Sequence, residues 1–77
     1  MMDATHEYRG CVFTIRYEAR PPAHAVDFPD IPEIITSADT LTAAFENACK
    51  ALDLHIERLQ ELGRRLPPRR HRVVVQA

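Results

Sequence analysis

His24-Ala-Val-Asp-Phe-Pro-Asp-Ile-Pro-Glu-Ile-Ile-Thr-Ser-Ala-Asp-Thr-Leu-Thr-Ala-Ala-Phe-Glu-Asn-Ala-Cys-Lys-Ala-Leu52 holds more structural information than any other segment of this chain. It opens on a short alternating strand, Ala23 to Phe28, with Val26 and Phe28 on one face and Ala25 and Asp27 on the other. Pro29-Asp-Ile-Pro32 follows as a turn, because two prolines hold φ near its turn value and stiffen the corner. Glu33 to Ser37 reads as a further strand carrying Ile34, Ile35 and Thr36. Asp39 or Thr40 then caps a helix, since either side chain can accept from a free first-turn N–H.

The helix runs from 41 to 62. Leu41, Phe45, Ala48, Leu52, Ile56 and Leu59 recur at steps of three and four and draw one apolar stripe. Gly63 suits the position just past a helix C-terminus, and Arg64 and Arg65 suit the negative end of the helix dipole. Upstream, Cys11 to Glu18 alternates, with Cys11, Phe13, Ile15 and Tyr17 on one side and Val12, Thr14, Arg16 and Glu18 on the other, as a half-buried strand does. Pro21 and Pro22 end it. Residues 1 to 9 are polar and read as flexible, while 71 to 77 read as a last strand containing Val73, Val74 and Val75.

The expected architecture is one α+β domain over residues 1–77, in the order β-β-β-α-β. A helical crossover before the last strand implies a parallel pairing, hence a mixed four-stranded sheet of order 3-2-1-4 with the helix on one face. A chain of 77 residues holds a modest core and is often helped by association. No apolar run is long enough to span a membrane and the N-terminus lacks the pattern of a signal peptide, so a cytoplasmic protein is expected. An exposed last strand, Arg72 to Gln76, further suggests a homodimer.

Catalytic signals are weak. His6, His24, His55 and His71 stand singly, Cys11 and Cys49 form no Cys-x-x-Cys pair, and no glycine-rich loop or nucleophile elbow is present. No cofactor and no metal is expected, and the two thiols read as free and structural. Asp27, Asp30 and Glu33 crowd the proline turn; paired carboxylates there can hold Mg²⁺, but on a strand and after a proline they read better as surface and turn-forming groups. Leu54 lies on the helix side away from the stripe and is a candidate partner anchor.

Charge is uneven. Residues 1 to 63 hold five Lys/Arg against eleven Asp/Glu, a net of −6, while residues 64 to 77 hold five arginines and no acid. Arg64, Arg65, Arg69, Arg70 and Arg72 could meet phosphates, meet an acidic protein, or simply be solvated; aromatic residues for base stacking are missing beside them.

Phe28-Pro29-Asp30-Ile31-Pro32, Asp39-Thr40, Ala44 and Asn47-Ala48 together resemble the HicB antitoxin family, over roughly residues 12 to 66. The resemblance implies a partial RNase H-like fold of order β-β-β-α-β without that fold's catalytic carboxylates. It also implies a non-enzymatic partner-binding role: binding and blocking a HicA-type ribonuclease that cleaves mRNA. Asp27, Asp30 and Glu33 at the acidic turn, and Leu54 on the helix, are the candidate contacts from the residues themselves. Many members carry a C-terminal helix-turn-helix or ribbon-helix-helix domain for DNA, and nothing like one follows the last strand here. Glu33-Ile34 stands where the family usually has Gly-Cys, Ala38 precedes Asp39-Thr40 where it has glycine, and Pro21-Pro22 replaces its glycine and acidic hairpin. The rival expectation is a HicB-like nucleic-acid-binding protein using the 64–72 arginine run.

Overall fold

The structure, a computed structural model, describes residues 4–68. Four strands precede one helix: β1 (Ala4–Tyr8), β2 (Cys11–Ala19), β3 (Pro22–Asp27), β4 (Ile35–Ala38) and α1 (Leu41–Glu61). Every pairing is antiparallel and the sheet order is β1-β2-β3-β4.

This corrects the expected β-β-β-α-β layout, its mixed sheet and its 3-2-1-4 order. The place beside β2 that was assigned to the last strand is taken by β1, from a segment read as flexible. Tyr8-Arg9-Gly10-Cys11 makes the difference. Arg9 (φ 51) and Gly10 (φ 79) both have positive φ, the requirement of the two-residue hairpin turn that matches strand twist. Arginine is a poor signal for that turn, and Thr5 and Glu7 face away from the helix, so the segment looks merely polar. His6 and Tyr8 are opposite the core residues Phe13 and Cys11 in register. The expected strand at 71–77 lies outside the described residues, as do Arg69, Arg70, His71 and Arg72.

β2 and β3 form a hairpin over Arg20-Pro21, a cis peptide bond, with Ile15 opposite Val26. Two consecutive turns then carry the chain to β4: Ile31 N–H donates to Phe28 O and Ile34 N–H donates to Ile31 O, each at 3.1 Å. Pro29 and Pro32 take the second position of each turn, where a fixed φ suits them. The result spaces Phe28, Ile31 and Ile34 three residues apart, and all three are buried. Ile34 therefore belongs to the turn, and β4 (Ile35–Ala38) begins two residues later than Glu33–Ser37 implied. Glu33 keeps a negative φ, so the second turn works without the family's glycine.

Thr40 is the N-cap of α1, its Oγ1 accepting from Ala43 N–H at 3.1 Å. At the other end Gly63 (φ 68) closes the helix: Gly63 N–H donates to Gln60 O at 3.1 Å and Arg64 N–H to Leu59 O at 2.7 Å, the paired bonds of a Schellman motif. α1 covers one face of the sheet through Ala44, Ala48, Leu52 and Ile56, each four residues on from the last. The stripe thus starts at Ala44 and not at Leu41 and Phe45. A small residue there lets the helix close onto β2 and β3, while Phe45 leans on the rings of His6 (5.1 Å) and Phe13 (5.5 Å) and Leu41 is exposed. Phe13, Phe28, Ile31 and Leu52 are the largest fully buried side chains, each contributing roughly 1.5–3 kcal/mol of burial.

Candidate partner-binding surface

The proline turns deliver Glu33 to the foot of β4, and α1 runs alongside that strand. Asn47, a half-buried helix residue, donates its Nδ2–H to Ser37 O at 3.2 Å and fixes the helix against β4. This bond gives Asn47, one of the residues of the family pattern, a structural role. Below it, the C-terminal half of α1 and the start of β4 enclose an open groove of about 500 Å³.

The floor of the groove is Ile34 and Ala51. Ile35 and Leu54 border it and project into solvent, at 87% and 66% exposure. Glu33, Glu57 and Glu61 supply three carboxylates against one guanidinium, Arg58. His55 is half-buried, with Nε2 3.9 Å from Glu33 Oε2, an ion pair only when the ring is protonated. An apolar centre with an acidic rim is the surface chemistry that receives a basic partner: apolar burial gives affinity, and charge gives steering and register.

The sequence-based site residues separate here. Glu33 and Leu54 meet in the groove. Asp27 is exposed on the opposite face of the sheet, paired in register with Ile35. Asp30 is half-buried in the first turn and has an interaction of its own. The three acids of the turn are therefore not one corner. Ile35, Glu57 and Glu61 were missed; the spacing of Leu54, Glu57 and Glu61 on one side of a helix was the available signal, but only the fold shows β4 beside them. Arg64 and Arg65 are exposed just past the helix end.

A second cluster lies where β1 meets α1. Tyr8 Oη donates to both carboxylate oxygens of Asp53 at 3.1 Å, and Arg9 Nη1 lies 3.0 Å from Asp53 Oδ1. The hydrogen bond to Asp53 raises the Tyr8 phenol above its ordinary value, helped by burial and by the carboxylate charge. Burial, then Asp53, raises the Cys49 thiol as well, which makes it a weaker nucleophile. Both cysteines are free, and Cys11 is buried. At the helix N-terminus Leu41, Phe45 and His6 border a shallow apolar recess of about 380 Å³. His6, read as flexible, is instead seated between Phe13 and Phe45, its buried Nε2 without a hydrogen-bond partner among the described residues.

Among the described residues no group of three or more His, Cys, Asp or Glu side chains is placed to hold a metal ion, and no helix is long and apolar enough to cross a membrane. The family model of the HicB-like antitoxin of bacterial toxin–antitoxin systems matches residues 4–76. No curated protein and no solved structure matches the chain significantly. The match spans nearly the whole sequence and includes the proline turns, the capped helix and the groove, so the chain belongs to the HicB-like antitoxin family of bacterial toxin–antitoxin systems.

Proposed function

We propose that this protein is an antitoxin that binds a small, basic, HicA-type mRNA-cleaving ribonuclease and holds it inactive by covering its surface. The observation that carries the reading is the family match over residues 4–76; the acidic groove with Ile35 and Leu54 exposed at its border supports it. The mechanism is steric cover combined with charge complementarity, and no catalytic step by this chain is involved. Glu33 and Leu54 act from the groove, and Asp27 at the end of β3 and Asp30 in the adjoining turn extend the negative field.

The test is co-expression with the product of the adjacent reading frame, followed by purification through a tag on this chain. A small basic protein that co-purifies, and that arrests growth and degrades mRNA when expressed alone, is the expected result. Absence of any toxic neighbour or co-purifying protein rejects the reading. Self-association through Arg72–Gln76 is part of the same proposal, and light scattering that reports a monomer at high concentration rejects that part.

A further inference from the structure

β4 forms one edge of the described sheet and, its four-residue length and one bond from the helix apart, its residues carry none of the usual guards. Edge strands present unpaired N–H and C=O groups, which proteins commonly blunt with lysine, proline, a bulge or a covering segment. β4 is Ile35-Thr-Ser-Ala38, with no charge and no proline, and it pairs with β3 in unbroken register. Asn47 occupies the carbonyl of Ser37. At the start of the same edge stands Ile35, the most exposed large apolar side chain among the described residues. The acidic groove runs beside it.

We propose that β4 is the edge to which the toxin adds an extended segment, with an apolar side chain beside Ile35 on the sheet face away from the helix, and alternate side chains, apolar and basic, turned toward Leu54, Glu57 and Glu61 on the helix side. This rests on the antitoxin reading and names the part of the molecule that performs it. Main-chain pairing along β4 supplies affinity, and alternate side chains of the added strand supply selectivity. Charge decides the occupant. Three carboxylates face one guanidinium around the groove, so a cationic strand is attracted. A second copy of this chain pairing β4 to β4 about a two-fold axis would bring two acidic grooves together.

The experiment uses the full chain and the toxin obtained by co-expression. Ile35→Lys puts a charge on the edge, and Glu57→Lys with Glu61→Lys reverses the rim. Glu7→Lys, exposed on the far strand β1, is the control. Circular dichroism and urea midpoints confirm that each variant is folded; Ile35 is exposed enough for the fold not to need it. Calorimetric titration is expected to show affinity weakened by about tenfold or more in the edge and rim variants and preserved in the control. Hydrogen exchange is expected to show amides of residues 35–38 slowed in the complex. If the wild-type complex forms but the edge and rim variants bind normally, or those amides stay unprotected, the edge assignment is overturned and the antitoxin reading stands. If the wild-type chain binds no toxin, both are overturned. Protection of 35–38 that grows with the concentration of the chain alone makes a second copy the occupant and also overturns the assignment.

Discussion

Gly63→Ala separates the observed helix end from the helix that local propensity alone would draw. Were α1 to continue through residue 63, replacing glycine by alanine would stabilise the protein by about 0.8–1 kcal/mol. In the structure Gly63 has φ 68, and a Cβ there meets nothing within 4 Å. No clash contributes, so the cost is that of holding an L-residue in the left-handed region, roughly 1–2 kcal/mol. The two readings differ in sign. Urea unfolding with an unchanged m value should show the alanine variant destabilised by about 1 kcal/mol, and melting should fall by roughly 4–8 °C for a domain of this size. Asparagine, which tolerates this conformation better, should recover part of the loss. D-alanine introduced at 63 by peptide ligation should recover all of it, because its mirror-image preference matches the observed φ. A stabilising Gly63→Ala, or equal losses with L- and D-alanine, refutes the argument. The bonds from Gly63 to Gln60 and from Arg64 to Leu59 also set the direction in which Arg64 and Arg65 leave the helix.

Three further outcomes are expected. Leu52→Ala, at a fully buried position, should cost about 2–5 kcal/mol in urea unfolding, whereas Leu54→Ala, two residues away and exposed, should stay within about 0.5 kcal/mol and weaken toxin binding instead. The raised Tyr8 phenol makes a pH signature: the neutral form is favoured by the fold, so its contribution is fully present below pH 10.0, its unfolded value, and is lost as pH rises through the higher folded value. Ultraviolet titration should show one tyrosine ionising late, and Asp53→Asn or Tyr8→Phe should abolish that step; an unchanged curve in both variants contradicts the Tyr8–Asp53 bond. Neutralising Glu33, Glu57 and Glu61 together should slow toxin association and flatten its salt dependence in stopped-flow measurements, and identical kinetics across salt would remove charge steering from the mechanism.

What was legible in the sequence followed from local chemistry. Pro29 and Pro32 fix φ, so the corner between β3 and β4 needs no partner to be predictable. Thr40 and Gly63 mark the two helix ends because each satisfies backbone groups within one turn of itself. The alternation from Cys11 to Ile15 marks a strand because period two survives in any half-buried strand. The family pattern was visible for the same reason, since it is made of these local devices.

Three things were decided only by tertiary packing. β1 joined the sheet because His6 and Tyr8 find Phe13, Phe45 and Asp53, all distant in sequence; in isolation the segment is merely polar. The apolar stripe of α1 kept Ala48, Leu52 and Ile56 but began at Ala44 and not at Leu41 and Phe45, because a 3.6-residue period cannot choose between adjacent positions when both are apolar. The groove formed because the C-terminal half of α1 packs beside the start of β4, which unites Glu33 with Glu57 and Glu61, while Asp27 points to the face of the sheet away from the helix. By itself the sequence determined the turns, the caps and the family; which acids share a surface depended on where the helix packs against the turn and β4, which is a property of the assembled fold.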